Sequence, residues 1–428
     1  MEFQGLQRRL LGQLSHGIVK GSYFSILSQA LVSGSNFLTG IIIAKATGVS
    51  EFGVFSLIAA TVLGLQGIQQ ALITGPMLFM SRGGEEDNDR ISQYFMLQVL
   101  LSAPLAVAAA IALGTFLHQW STSQLIGIGG AVFFLQMQEF SRARLYMALL
   151  ASKVLSLDIA NHGLRLTLLL FLWKFDYLTA STAFLVLALA GGITSFPVIR
   201  GVAPQTFRIC VDVARKSFQY GRWLLLESVA HYLSVPLYLF LTSALLSHEA
   251  TGGLNAAISL LNLPNVLVLG LMNLAVPMAR KKLMNEGYEA WRSQLVSTGA
   301  VVIAVSVFLY AVISASGSFL LVTVYSSEFA KYADIFPIVG AYYCFLAVDT
   351  VLAATFRLAH APQIGAMTKL WSSIITVSVA YPLISLWGLV GAAIGLVLTS
   401  ATWLAIYALY IYKGALRAER VLEQRFQD

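Results

Sequence analysis

The length of its uncharged stretches constrains this chain more than any other feature. Gly21–Ala44 runs 24 residues, and Phe52–Ser81 runs 30, without Asp, Glu, Lys or Arg. A membrane-spanning helix needs about 20 mostly apolar residues, so each stretch predicts one span. The connector Lys45-Ala46-Thr47-Gly48-Val49-Ser50-Glu51 predicts a hairpin between them. Inside a bilayer every backbone N–H and C=O must be bonded within the protein, which a helix does by itself. The chain is 57% hydrophobic and 11% charged, whereas soluble domains carry about 25% charged residues. An all-α integral membrane protein is predicted.

Later stretches repeat the pattern. Ile91–Gln138 holds 48 uncharged residues, enough for two spans with a turn near Leu117–Gln124. Leu370–Tyr412 holds 43, two more spans with a turn at Leu386-Trp387-Gly388. Single spans are expected near Val154–Trp173, Leu178–Ile199, Trp223–Leu246, Gly253–Ala279, Leu295–Ala315 and Ile335–Phe356. The predicted organisation is an amphipathic cytoplasmic segment 1–20, a six-helix bundle 21–200 and a cytoplasmic linker 201–220. A second six-helix bundle 221–412 and a charged cytoplasmic tail 413–428 complete the twelve-helix chain. Leu6, Leu10 and Leu14 form an apolar line beside Arg8 and Arg9, as expected of a helix lying on the inner membrane surface. The first span reads as a retained signal-anchor.

Orientation follows from Lys and Arg. Of 27 such residues, 23 fall on the face of the N-terminus, which predicts both termini in the cytoplasm. The same asymmetry accounts for the net charge of +7 without a nucleic-acid partner. Cys210 and Cys344 fall in a predicted loop and a predicted span, so no disulfide is expected, and no His/Cys spacing points to a metal.

The two halves carry matching landmarks. Gly53 and Gly253 open equivalent spans after connectors carrying Glu51 and Glu249, and Pro76 and Pro277 close them. Their offsets of 200 and 201 residues predict a parallel pseudo-repeat about an axis along the membrane normal.

Polar side chains within spans must face a partner or a wet cavity. Asn36 shares a stripe of the first span with Ser25 and Gln29; Gln69 clusters with Gln66 and Gln70; Asn255 and Asn262 lie along the eighth span. Asp158, His162 and Arg165 sit at spacings of four and three on one helix face. Arg165 stands deepest, and its planar fork of donors suits phosphate. The other reading is a structural ion pair to Asp158 or Glu139. Glu139 and Arg142 lie near one face at the end of the fourth span with Arg144 on another face, and Arg222 and Glu227 open the seventh. Asp349 lies in the tenth span. No phosphate-binding Gly-rich loop and no HExxH motif occurs, and the predicted outer connections are short. No catalytic residue and no cofactor is expected.

The opening hairpin GSYFSILSQALVSGSNFLTGIIIAKATGVSEFGVFSL, the turn Gly48-Val49-Ser50-Glu51-Phe52-Gly53 and the span-end sequence Phe140-Ser141-Arg142-Ala143-Arg144 resemble the polysaccharide and O-antigen flippases. That family belongs to the superfamily of multidrug, oligosaccharidyl-lipid and polysaccharide exporters. The resemblance implies two bundles around a central cavity in a bacterial inner membrane. It also implies a polyprenyl-pyrophosphate-linked oligosaccharide moved to the outer leaflet, with membrane lipids and polysaccharide polymerase or export proteins as partners. On this reading Arg165, Arg142, Arg144 and Arg222 meet the pyrophosphate. Asn36, Gln69, Asn255 and Asn262 meet sugar. Asp158, Glu139, Glu227 and Asp349 serve ion coupling. The alternatives are an ion-coupled antiporter of drugs or small cations on the same fold, and an integral-membrane polysaccharide polymerase or ligase.

Overall fold

The computed structural model of the chain describes residues 2–80, 86–118, 120–202, 211–358 with breaks between 266 and 284, and 362–414. Among these residues the secondary structure is helical, with no strand. Among the described residues eight helical stretches are long and apolar enough to cross a membrane, and Tyr23–Leu78 and Gln363–Tyr412 are 56 and 50 residues long. At 1.5 Å per residue, about 20 residues cross the hydrocarbon core, so each of those two stretches crosses twice. Many outward side chains are apolar, such as Val107, Ile111, Ile193, Phe308 and Val377. The molecule is an all-α membrane fold of two bundles.

The chain forms two compact units. Unit 1 comprises Met1–Ala46 and Leu65–Gly221. Its helices are α1 (Glu2–Gln69) apart from its Thr47–Gly64 stretch, a π turn at Gln70–Thr74, α2 (Gly75–Met80), α3 (Glu86–Phe116), α4 (Thr122–Met147), α5 (Ala151–Lys174), α6 (Ala180–Arg200) and the start of α7 (Val211–Tyr232). Local chemistry sets several boundaries. Ser121 caps α4 by accepting from the Gln124 N–H, and Thr179 and Thr182 form a capping box at α6. The core under α3 and α4 joins Ile73, Met77, Tyr94 and Phe140.

Unit 2 comprises Thr47–Gly64 and Arg222–Asp428. It adds α8 (Pro236–Leu245), α9 (His248–Leu261), α10 (Tyr288–Ala315), α11 (Gly317–Val324), a 3₁₀ segment Ser327–Ile335, α12 (Phe336–Leu358) and α13 (Pro362–Tyr412). Gly48 turns the first hairpin at φ 80 and Gly388 turns the last at φ 56, a backbone region that suits glycine. The turn of the first hairpin docks on α9. A Cβ on Gly53 would stand 1.9 Å from the His248 carbonyl oxygen, and one on Gly252 would stand 2.1 Å from that of Val49. Phe52 adds ring contacts to Tyr325 and Phe329 at 5.7 and 6.0 Å. Fully buried Trp403, Tyr407 and Phe356 line the α12–α13 seam.

Three expectations change. The sequence reading ends the second span at Pro76, but the helix continues to Met80. Proline obstructs the carbonyl four residues earlier, here Leu72, and the π turn over Gln70–Thr74 widens the backbone at that point. Pro277 lies outside the described residues. The second change concerns the polar connection: α7 begins at Val211, so Arg215, Lys216 and Arg222 are helical. The third is Lys369, one of the 23 Lys and Arg residues assigned above to the face of the N-terminus as part of a loop, which is buried within α13. Removing it from the Lys and Arg count leaves the asymmetry intact.

Candidate functional site

Unit 1 holds a polar cluster built by α1, α4, α5 and α6. Spacings of four and three place Asp158, His162 and Arg165 on one face of α5, with Asn161 beside them. All four are buried, Asp158 at 0% exposure and Arg165 at 4%. Glu139 and Arg142 are one turn apart on α4.

The bonding separates the two arginines. Arg142 takes both carboxylates. Its Nη1 donates to the Glu139 carboxylate at 2.8 and 3.2 Å, and its Nε lies 3.1 Å from Asp158 Oδ1. The Ser28 hydroxyl, from α1, donates to Asp158 Oδ2 and accepts from Arg142 Nη2 at 3.5 Å. The structural reading of Arg165, an ion pair with Asp158 or Glu139, is therefore not the arrangement found. Arg165 Nη2 donates to Asn36 Oδ1 at 2.8 Å, a neutral partner on α1. Among the described residues Arg165 forms no ion pair, and Arg165 Nε, His162 Nδ1 and Asn161 Oδ1 are buried without a hydrogen-bond partner. Asn161 Nδ2 donates to Thr194 Oγ1 on α6 at 3.0 Å, which fixes that side of the cluster.

The charges explain what the site can do. Glu139, Asp158 and Arg142 sum to one negative charge, and Arg165 brings the cluster to neutral while keeping an unpaired cation at its inner end. A charge deep in a bilayer costs about 2.5–3.5 kcal/mol, and here it is retained with one free donor, Arg165 Nε, beside the unpartnered acceptor Asn161 Oδ1 and the ring nitrogen His162 Nδ1. Asn36, which holds Arg165, is itself exposed.

Other expected site residues are placed differently. Gln69 is fully buried, and its amide donates to Gln98 Oε1 at 2.9 Å and to the Gln136 carbonyl at 2.7 Å. Ser102 closes this network onto Gln136 Oε1 at 2.7 Å. Gln69 Nε2 is thus held by α3 and α4, while its Oε1 is buried without a hydrogen-bond partner among the described residues. Arg144 donates to the Val198 and Gly201 carbonyls at 2.6 and 3.5 Å, capping the end of α6 rather than joining Arg142. In unit 2, Arg222 is exposed and lies over the Trp223 ring at 5.7 Å, and Glu227 is half-buried on α7. Asn255 is half-buried on α9, and the exposed Asn262, at the end of that helix, accepts from Asn265 Nδ2 at 3.3 Å. Asp349 accepts from Lys369 Nζ at 3.0 and 2.9 Å, and that ammonium lies 3.3 Å from the Trp403 ring centre.

The sequence reading misses Ser28, Thr194 and Lys369. Ser28 was recoverable: Ser28, Ser35 and Thr39 recur at helical spacing and are all buried. Thr194 is one of several span hydroxyls with nothing to single it out. Lys369 follows the short polar connection after α12 and reads as loop until the helix start at Pro362 is known.

The arrangement is that of a two-bundle membrane protein with a polar, partly unpaired cluster inside its first unit. No protein-family model and no curated protein sequence matches the chain. Solved structures share its fold. An inward-facing multidrug resistance MATE family transporter of the MOP superfamily aligns at TM-score 0.75 and 12% identity, covering 92% of this chain and 96% of that one. A MOP superfamily transporter from Pyrococcus furiosus, described as having a binding pocket of reverse polarity that suggests a different function, aligns at 0.64 and 13%, covering 94% and 96%. The lipid II flippase MurJ in an inward closed conformation aligns at 0.68 and 12%, covering 92% and 87%. At these identities the likeness establishes the fold.

Proposed function

We propose that the chain is a membrane transporter that flips a polyprenyl-pyrophosphate-linked oligosaccharide to the outer leaflet of a bacterial inner membrane, with both termini in the cytoplasm. Arg165 carries this reading. It is a buried guanidinium with one neutral partner and an unsatisfied donor, beside Asn161 and His162 atoms that also lack partners. A guanidinium offers five donors in a fork that matches phosphate oxygens. An anionic headgroup would neutralise Arg165 and accept its free donors while the hydrocarbon tail stays in lipid. Asn36 presents Arg165 and meets the adjoining sugar. The MurJ likeness supports a lipid-linked passenger on this fold.

The MATE likenesses support the second reading, a multidrug antiporter, equally well at the level of fold. Local chemistry favours the anion. A cationic passenger needs an unpaired carboxylate, and Asp158 and Glu139 are taken by Arg142, as Asp349 is by Lys369. Glu227 is the carboxylate left to that reading. Coupling to ion flow is assigned to the Asp349–Lys369 pair, because protonating the carboxylate would release a buried ammonium.

The test is reconstitution in liposomes with a fluorescent polyprenyl-pyrophosphate glycan, following how much dye becomes accessible to an external quencher. Wild-type protein is expected to expose the inner pool and Arg165→Met to leave it protected. Equal exposure by protein-free liposomes or by Arg165→Met overturns the proposal.

A further inference from the structure

Unit 2 contains a groove of about 820 Å³ between α10, α12 and the end of α13, apart from the charged and aromatic residues already described. Its walls are chiefly apolar, from Val296, Gly299, Ala300 and Val351, and Trp291 and Arg292 stand at one end. The Arg292 side chain is 64% exposed, and Val296 is 66% exposed, so both a charged rim and an apolar channel are open to the surroundings. The volume falls in the range of small-ligand sites, about 300–1,000 Å³.

Placement along the helix defines what fits. Trp291 and Arg292 lie in the first turn of α10, at the end following the basic run Arg280-Lys281-Lys282. Trp291 is buried against Ala279, Leu283 and Leu295, whereas the exposed Arg292 beside it, at a helix end, reaches toward the membrane–water interface with hydrocarbon beyond it. The groove then descends along α10 through Val296, Gly299 and Ala300 into the apolar region. Gly299 keeps it open: a Cβ there would stand 3.1 Å from Val351 Cγ1. Among the described residues Arg292 has one ionic neighbour, Glu289 at 4.0 Å, with both groups exposed, a weak pairing in water.

We infer that this groove is a binding site for one anionic glycerophospholipid of the leaflet on the Lys/Arg-rich face, its phosphate on Arg292 and an acyl chain along Val296, Gly299 and Ala300. Charge decides the occupant. Basic pockets between membrane helices on the cytoplasmic side select anionic headgroups, and a zwitterionic lipid gains nothing net from Arg292. The site does not rest on the transported passenger, and it stands whether that passenger is an anion or a cation.

The experiment is native mass spectrometry of the full-length protein in detergent, titrated with phosphatidylglycerol or phosphatidylcholine. Wild type is expected to bind one phosphatidylglycerol in preference to phosphatidylcholine. Arg292→Gln, on an exposed side chain, should weaken phosphatidylglycerol about fivefold and leave phosphatidylcholine unchanged. Ala300→Trp, at an exposed position, should fill the channel and abolish both. Equal affinity of wild type for the two lipids overturns the inference, as does unchanged phosphatidylglycerol binding in Arg292→Gln or in Ala300→Trp. Lipid binding that appears only when the chain is ended at Gly414 also overturns it, because the groove would then belong to the chain's own tail.

Discussion

Replacing Arg165 and Arg142 in turn by methionine should have opposite consequences. Arg142 compensates two carboxylates, one of them Asp158, which has no exposure. Removing it strands a buried charge, a change that costs about 3–5 kcal/mol in buried pairs. Arg165 pairs with no carboxylate among the described residues, and offsets the single net negative charge of the Glu139–Asp158–Arg142 group only from a distance. Its removal relieves a membrane-embedded charge worth about 2.5–3.5 kcal/mol and loses one charge-assisted hydrogen bond worth about 1.5–3 kcal/mol. The net effect is near zero or stabilising by about 1–2 kcal/mol, and Asn36, being exposed, is left without penalty. The assay is scanning fluorimetry of the purified, ligand-free proteins in one detergent. Arg165→Met should melt at or above the wild-type temperature, and Arg142→Met well below it. If Arg165→Met is destabilised as much as Arg142→Met, Arg165 is a structural residue and the reasoning about an unpaired cation fails.

Three further outcomes follow from the same contacts. Gln98→Leu should cost about 1–3 kcal/mol by removing one of the two acceptors of the Gln69 amide and the Gln98 donor to Ser102; the transport assay should show an unchanged KM, since that network does not touch the passenger. Lys369→Met should destabilise by about 3–5 kcal/mol by stranding Asp349, and the double variant with Asp349→Leu should recover most of the loss in a double-mutant cycle. Gly252→Val should cost about 1–3 kcal/mol because its Cβ overlaps the Val49 carbonyl; partial proteolysis should then cut sooner near Gly48.

Much of the fold is legible from uncharged run length alone. The turns at Gly48 and Gly388 and the break before Thr122 fall where the sequence places them. Charge was a poorer guide to boundaries. Val211–Arg222 reads as a connection because of its basic residues, yet it forms helix, since a helix can project polar turns beyond the membrane. Of the two landmark glycines, Gly53 is needed because the first hairpin's turn and α9 meet backbone to backbone, and its counterpart in that contact is Gly252, the residue before the landmark Gly253, whose own Cβ would meet the Tyr332 ring.

For the site, periodicity grouped Asp158, His162 and Arg165 correctly on α5. It could not say which arginine the carboxylates choose, because that depends on how α4 faces α5. Arg142 and Arg144 are two residues apart, so they point to different neighbours, one to Asp158 and the other to the α6 carbonyls. Gln69 shows the opposite limit. An amide in a span satisfies equally a sugar or two other amides, and Gln98 and Gln136 sit on the neighbouring helices that decide it.

The most direct measurement is the affinity of ligand-free wild type and Arg165→Met for a polyprenyl diphosphate and for a lipophilic cation, in the same detergent. The account predicts that the diphosphate binds wild type and weakens about tenfold or more in Arg165→Met, as expected for loss of a charge-assisted contact of about 1.5–3 kcal/mol, while the cation is unaffected. Diphosphate binding that survives the substitution unchanged would contradict it, as would a wild type that prefers the cation.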